Sequence, residues 1–317
     1  MQLPEALHDR ISELSRALGP RELQKAAQKL SEVYRKDSVP PPLRTEAERL
    51  AYLLVRMPAT YAAIHNALSA VVECLPGWEP NSMLDLGTGP GTGLWAAIEI
   101  HHQLESADAV EREAAFIQLA MKLAPAFSQP VGWKTSDLQS WMPDRKYDLV
   151  LASYSIGELS TDVRKRLVSA AWEACAGALV FVEPGTRRGF GVIAELRKQL
   201  ISLGASIAAP CPHERECPME AAGDWCHFSA RVERTAEHRR LKQAELGHED
   251  EKFSYVAASR MQPNRACARI VRHPQRLSGH VKLQVCAEEG LGLETVRRSQ
   301  KEKYREVKRV DWGSRWD

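Results

Sequence analysis

At 317 residues with 44% apolar content, the chain has material for one large domain and a smaller one, and its core needs no covalent staples. No run of about eighteen apolar residues occurs, which excludes a membrane-spanning helix on sequence grounds. The net charge of +2 conceals an asymmetry: from Arg260 onward there are 14 Lys or Arg against 7 Asp or Glu, so the part before it is net negative. A basic end of this kind suits nucleic acid, or else is a solvated tail with no partner.

The start of the chain lacks the basic, apolar, small-residue order of a secretory signal, and Glu5, Asp9, Glu13, Glu22 and Glu32 speak against a transit peptide. A bacterial cytoplasm is therefore the expected location, with a monomer the expected state. In that compartment the seven cysteines stay reduced, which leaves metal or cluster ligation as the alternative to test.

Residues 1–36 read as a helical arm: Leu7, Ile11, Leu14 and Leu18 recur at helical spacing, and Leu23, Ala27, Leu30 and Val33 repeat it after Gly19-Pro20. Pro40-Pro41-Pro42 makes a stiff connector. Thr45 with Glu48 has the capping-box spacing and predicts a helix over 46–55; after Pro58 the face of Tyr61, Ile64, Leu68, Val71 and Val72 predicts another, closed by Pro76-Gly77. Residues 1–77 are thus an N-terminal helical region.

Alternation of strands and helices follows. Strands are expected at 82–86, 107–111, 131–135, 147–153 and 178–183, with helices at 93–104, 114–123, 162–175 and 189–203 between and after them. Such alternation implies a parallel, doubly wound α/β sheet over residues 78–210. Residues 211–259 lose this rhythm: a Cys-rich insertion comes first, then a helix over 234–246 and a late strand over 253–259. Residues 260–317 read as a small, basic, β-rich part with short strands.

The first strand runs into Met83-Leu84-Asp85-Leu86-Gly87-Thr88-Gly89-Pro90-Gly91-Thr92-Gly93. Glycines at every second position let backbone approach a ligand closely. A dinucleotide fingerprint would need glycine where Thr92 stands, and a P-loop would need Gly-Lys-Ser/Thr where Gly93-Leu94 stands. What remains resembles the first motif of class I S-adenosylmethionine (SAM) dependent methyltransferases. That resemblance assigns Asp85, Gly87, Gly89 and Gly91 to the cofactor loop, with Asp85 orienting it or meeting the methionine ammonium. It also places Glu111, at the end of the second strand, on the ribose hydroxyls and Asp137, after the third, by the adenine amino group. Either acid alone would serve equally as a helix cap. Base N-methylases of this fold carry Asn/Asp-Pro-Pro-aromatic after the fourth strand, but here the segment is Ser153-Tyr154-Ser155-Ile156-Gly157-Glu158. No catalytic residue is assigned, although Tyr154 and Glu158 are placed to line an acceptor pocket.

Cys211-Pro212-His213, Cys217-Pro218 and Trp225-Cys226-His227-Phe228 put three thiols within sixteen residues, and Cys286 follows sixty residues later. Cysteine followed by proline is a pattern of iron–sulfur ligation. Structural zinc sites usually bring Cys-x-x-Cys pairs, whereas the gaps here are five and eight residues; His213, His227 and His238 keep a mixed Cys/His zinc site open. Trp225 and Phe228 are expected to shield such a centre.

Pro210-Cys211-Pro212-His213, Cys217-Pro218, Asp224-Trp225-Cys226-His227-Phe228-Ser229 and Glu249-Asp250-Glu251-Lys252-Phe253-Ser254-Tyr255-Val256 resemble the ribosomal small-subunit methyltransferase-like family, found in bacteria and mitochondria, whose members include human methyltransferase-like protein seventeen. The similarity runs from Ala51-Tyr52-Leu53 and Arg56-Met57-Pro58-Ala59-Thr60-Tyr61 to Trp312-Gly313-Ser314-Arg315-Trp316. It implies a class I methyltransferase-like fold, association with the small ribosomal subunit and its rRNA, and a [4Fe-4S] cluster. The cluster's ligands would be Cys211, Cys217, Cys226 and Cys286, with Cys267 the alternative fourth. Three functions are compatible with these features: an rRNA methyltransferase, a non-catalytic assembly or translation factor, and a small-molecule methyltransferase with a zinc ribbon.

Overall fold

The computed structural model describes residues 1–34, 41–126, 129–242 and 245–317. Arg35 and Lys36 of the expected arm, Pro40 of the triple proline, and residues 243–244 of the expected helix over 234–246 lie outside the described residues. The arm is two helices, α1 (Glu5–Ser15) and α2 (Pro20–Tyr34), which bury Leu7, Ile11, Leu23, Ala27 and Leu30.

Helix α3 (Glu46–Val55) opens with the expected capping box: Thr45 Oγ1 accepts from the Glu48 N–H at 3.1 Å, and the Glu48 carboxylate accepts from the Thr45 N–H at 3.1 Å. Lys29 of α2 donates to the same carboxylate, so the cap also fastens the arm. Chiefly through that bond, Glu48 is held down to about 2. Helix α4 (Met57–Cys74) restarts after Arg56, with Pro58 in its first turn, where a missing N–H leaves no bond unmade.

The alternating region then contributes β1 (Ser82–Leu86), α5 (Thr92–Ile100), β2 (Ser106–Glu111), α6 (Ala114–Leu123), β3 (Val131–Thr135), β4 (Tyr147–Ser153), α7 (Thr161–Ala174), β5 (Cys175–Pro184), α8 (Arg187–Ser202) and β6 (Ser206–Ala209). After it come α9 (Pro218–Ala221), β7 (Phe228–Glu233), α10 (Ala236–Lys242) and β8 (His248–Ser259).

The sheet has the order β3-β2-β1-β4-β5-β8-β6, with β7 pairing along the first half of β8. This is the class I methyltransferase-like α/β sheet expected from the glycine loop. Strands β1 to β5 are parallel as expected, but β8 runs antiparallel to both β5 and β6, so the sheet is mixed. Strands β6 and β7 have no counterpart in the sequence reading. Strand order reverses between β1 and β4, which opens a crevice at their carboxyl ends.

Alternate residues face opposite sides, as the pleat requires. Leu149, Leu151, Val180 and Val182 pack toward α4 and α5, while Val150, Ala152, Leu179 and Phe181 pack toward α7 and α8.

The C-terminal part forms a second sheet from β9 (Ala268–Ile270), β10 (Gln275–Leu277), β11 (His280–Ala287), β12 (Gly290–Arg297) and, after α11 (Lys301–Val307), β13 (Arg315–Trp316). Ile270, Val281, Leu283, Val296 and Trp316 make its own small core. Arg269 fastens it to the first sheet by donating to the Pro210 carbonyl at 3.0 Å. Among the described residues no helix is long and apolar enough to cross a membrane.

Replacing Thr45 by Ala removes a cap that also positions a buried carboxylate, and a loss of about 1 kcal/mol in urea unfolding is expected. An unchanged unfolding midpoint would show that Lys29 alone holds α3 in place.

Candidate functional site

The loop between β1 and α5 is built around a buried acid. Asp85 is fully buried, and Thr88 Oγ1 donates to its Oδ2 at 2.6 Å. A Cβ on Gly93 would lie 2.6 Å from Leu151 and 2.8 Å from Asp85 Oδ2, so only glycine lets the first turn of α5 close over the acid. Burial pushes Asp85 up to about 7; the Thr88 hydrogen bond opposes this, and the charge of Glu111 adds to it. Gly87 has a φ of 72°, and a Cβ there would meet Ser155 at 2.5 Å. Gly89, at φ 53°, has open space where its side chain would point, while Gly91 caps α5 in the left-handed region.

Glu111 at the end of β2 closes the loop from the other side. Its Oε2 accepts from the Gly89 N–H at 3.0 Å and its Oε1 from the Glu113 N–H at 2.9 Å. Asp137 accepts from the Gln139 N–H at 2.8 Å through Oδ1. Gly87, Gly89, Glu111 and Asp137 all line one cavity at the carboxyl ends of β1, β2 and β4. Asp85 and Gly91 do not: the acid lies beneath the loop, and the glycine sits at the helix cap. The sequence reading missed the cavity's other wall, formed by Tyr34 of α2, residues 41–43 and Tyr52 of α3. Only the packing of the arm brings those residues here, so no local spacing marks them.

A second cavity shares Tyr34, Tyr52, Thr60, Tyr154 and Glu158 with the first and continues to Glu183, Arg188 and Lys252. Its floor carries a half-buried ion pair whose two partners lie in separate stretches of the family resemblance. Arg56 donates to Glu251 twice, at 3.1 and 3.2 Å, and lies 4.7 Å over the ring of Tyr34. Tyr154 bonds to the same carboxylate at 3.2 Å and sits at a φ of 55°, rare for a tyrosine. Helix α8 gives Gly189 and Val192 to this cavity and Phe190, Ile193 and Ala194 to a third.

Cys211, Cys217, Cys226 and Cys286 all line that third cavity, among Met219, Val271 and the α8 residues, with Arg197 and Arg269 as its cations. Burial raises the thiols of Cys211, Cys226 and Cys286, the last to about 12, and their mutual proximity raises them further. Holding them as thiolates therefore needs positive charge. Cys267 is exposed and lies elsewhere, beside Asp317. His213 Nε2 is 3.7 Å from Cys286 Sγ, while His227 stacks on Trp225 with ring centroids 5.1 Å apart and His238 faces Glu249 at 3.5 Å. Four sulfurs in an apolar cavity are suitable donors for iron, yet among the described residues no group of three or more His, Cys, Asp or Glu is arranged to hold a metal ion.

A family model described as mitochondrial small ribosomal subunit Rsm22 matches residues 46–317. The human mitochondrial ribosome assembly protein METTL17 is 28% identical over 291 residues, covering 85% of this chain and 62% of that protein. The mitochondrial Rsm22-cox11 tandem protein 2 of Schizosaccharomyces pombe is 26% identical over 332 residues, covering 85% of this chain and 43% of that one. The chain thus spans less than two thirds of the length of these relatives. Among solved structures, magnesium protoporphyrin IX methyltransferase (ChlM) from Synechocystis PCC 6803 with bound SAM is similar, at 13% identity and a TM-score of 0.43 over 73% of this chain and 90% of that one.

These matches correct the expected location. The family model and both relatives are described as mitochondrial, which points to a mitochondrion rather than a bacterial cytoplasm. The acids that suggested otherwise belong to the folded helices α1 and α2, so they report on an arm and not on an address.

Because folding raises Asp85 from 3.8 to about 7, the folded chain holds its proton longer than the unfolded chain does. Asp85 therefore lowers stability progressively as pH rises through that window, and by its full amount above it. Asp85→Asn removes this slope: between pH 5 and pH 8, wild type should lose more unfolding free energy than the variant. Equal losses would place the titration elsewhere.

Proposed function

The chain belongs to the mitochondrial small ribosomal subunit Rsm22 family, and from that membership we propose that it binds S-adenosylmethionine and acts on the small ribosomal subunit and its rRNA during assembly, as a SAM-dependent rRNA methyltransferase. The observation that carries the proposal is the single cavity lined by Gly87, Gly89, Glu111 and Asp137 at the switch point of the sheet. In it Glu111 would take the ribose hydroxyls and Asp137 the adenine amino group, while Asp85 holds the loop from below through Thr88. The cofactor, when bound, supplies a sulfonium methyl group. The protein's part is to align the acceptor with it and exclude water, and Tyr34 and Tyr52 wall the cavity on the arm side. Exposed Arg297, Arg298, Lys301, Arg305, Lys308 and Arg309 around α11 are suited to RNA phosphates.

A second reading, a non-catalytic assembly factor that uses SAM structurally, is favoured by the segment after β4, which lacks the Asn/Asp-Pro-Pro-aromatic signature. The name of the human relative, a ribosome assembly protein, points the same way. In both readings we propose that Cys211, Cys217, Cys226 and Cys286 hold a [4Fe-4S] cluster, with a mixed Cys/His zinc site as the alternative; the support is their convergence on one apolar cavity.

Mass-spectrometric comparison of small-subunit rRNA from deletion and wild-type cells decides between enzyme and factor. A methyl group should be missing from the deletion strain, restored by wild type and not by Gly89→Trp, whose indole would project into the open space before Gly89. Unaltered rRNA together with defective subunits would establish the factor. For the cluster, anaerobically purified protein should be brown with absorbance near ~400 nm, and Cys286→Ser should lower its iron content; colourless protein, or iron unaffected by the substitution, would remove the assignment.

A further inference from the structure

The second cavity lies where a methyl acceptor would have to stand. It is bounded by the segment after β4 and by the end of β5, and it shares five residues with the cavity of the glycine loop, so groups held in the two are neighbours. Its walls include Tyr34, Tyr52 and Tyr154, flat rings suited to a planar base.

Four acids line it, and three of them are engaged. Glu251 is held by the two terminal guanidinium nitrogens of Arg56 and by the Tyr154 hydroxyl; Asp250 by Arg231 at 2.9 Å; Glu158 faces Arg112 at 3.6 Å and is a third exposed. Glu183, at the end of β5, is 4% exposed and, among the described residues, forms no ion pair. Its Oε1 accepts from the Gly157 N–H at 3.0 Å, and a Cβ on Gly157 would stand 2.6 Å from its Oε2. The glycine is what leaves room for the carboxyl group.

We infer that the second cavity receives an RNA base turned out of its stack, and that Glu183 is the general base that takes the proton from the base's N–H as it is methylated. This rests on the SAM reading given above. In the step, the nitrogen lone pair forms the new C–N bond, the S–CH₃ bond breaks with its electron pair returning to sulfur as a neutral thioether, and the surplus proton on nitrogen passes to the Glu183 carboxylate. Burial pushes Glu183 up to about 7, against the pull of the Gly157 N–H and with the charge of Glu158 adding to it, so the group can exchange a proton near neutral pH. The other charges facing the cavity are Arg188 from α8, Arg56 from the start of α4, and Asp250, Glu251 and Lys252 from β8. Tyr154 holds a left-handed backbone conformation that residues with a Cβ rarely adopt, and its bond to Glu251 fixes the ring as a wall of the pocket.

The test uses the full chain and small-subunit particles from cells lacking it, with single-turnover transfer from methyl-tritiated SAM between pH 5.5 and 8.5. SAM affinity is measured in parallel by calorimetry. Glu183→Gln should bind SAM within about twofold of wild type, lose roughly 100-fold in transfer rate, and lose the limb of the wild-type profile that rises through about pH 7. Glu183→Asp, one methylene shorter, should restore part of the rate together with the pH limb, a pattern that misfolding would not produce. If Glu183→Gln transfers methyl within about threefold of wild type and with the same pH profile, the inference is wrong while the SAM reading stands. Wild type that binds SAM and methylates nothing overturns both the base role and the enzyme, and wild type that binds no SAM overturns the reading beneath them.

Discussion

Strand β8 runs against its neighbours in the main sheet, and the placement of the other functional parts follows from that reversed pairing. Residues 253–259 are hydrogen-bonded to β5, and 257–259 also to β6, so this half is buried on both faces. Residues 248–252 reach past the end of β5 and pair with β7, while the Lys252 carbonyl also accepts from the Gly185 N–H at 2.8 Å. That overhang carries Glu251 and Lys252 to the second cavity, while Ser254 donates to the Cys226 carbonyl at 2.7 Å and Tyr255 lines the thiol cavity. A slip of one residue would turn each of these side chains to the opposite face. The antiparallel register is therefore what holds the two cavities at fixed separation.

Charge buried beside these cavities is costly, and each instance is compensated differently. Arg56 and Glu251, 195 residues apart, offset their desolvation with two hydrogen bonds, a tyrosine hydroxyl and an aromatic face. Among the described residues Asp85 and Glu183 form no ion pair; each is instead drawn toward its protonated form. The ion pair pins the start of α4 to β8, whereas the two lone acids sit under or beside loops where a ligand's polar groups would meet the protein.

What the sequence revealed follows from how local the determining physics is. The capping box of Thr45 and Glu48, the strand of residues 82–86 and the alternate glycines act within a few residues, and their spacing survives in the one-dimensional pattern. Strand β6 is four residues of Ser, Ile and Ala, too short and too small to register as apolar. In β7 the buried Phe228, Ala230 and Val232 do alternate with Ser229, Arg231 and Glu233, but the strand is short and the cysteines before it hide the period. The direction of β8 has no local signature at all. The same holds for the site: Glu111 and Asp137 stand at strand ends where acids are expected, while Arg56, Tyr34 and Glu183 become neighbours of the cavities only through packing between distant segments.

Helix α8 serves as a partition. Residues on one flank, Gly189 and Val192, face the second cavity, and those on the other, Phe190, Ile193 and Ala194, face the sulfurs. Its first turn is anchored by Thr186, whose Oγ1 accepts from the Gly189 N–H at 3.1 Å, and the preceding Gly185 carbonyl accepts from the indole of Trp225 at 3.0 Å, next in sequence to Cys226. A stiff rod between two compartments cannot yield to one without displacing the other. Free energy stored in its position is common property, and by reciprocity any occupant that shifts the rod alters its neighbour's affinity by the same factor as it is itself altered.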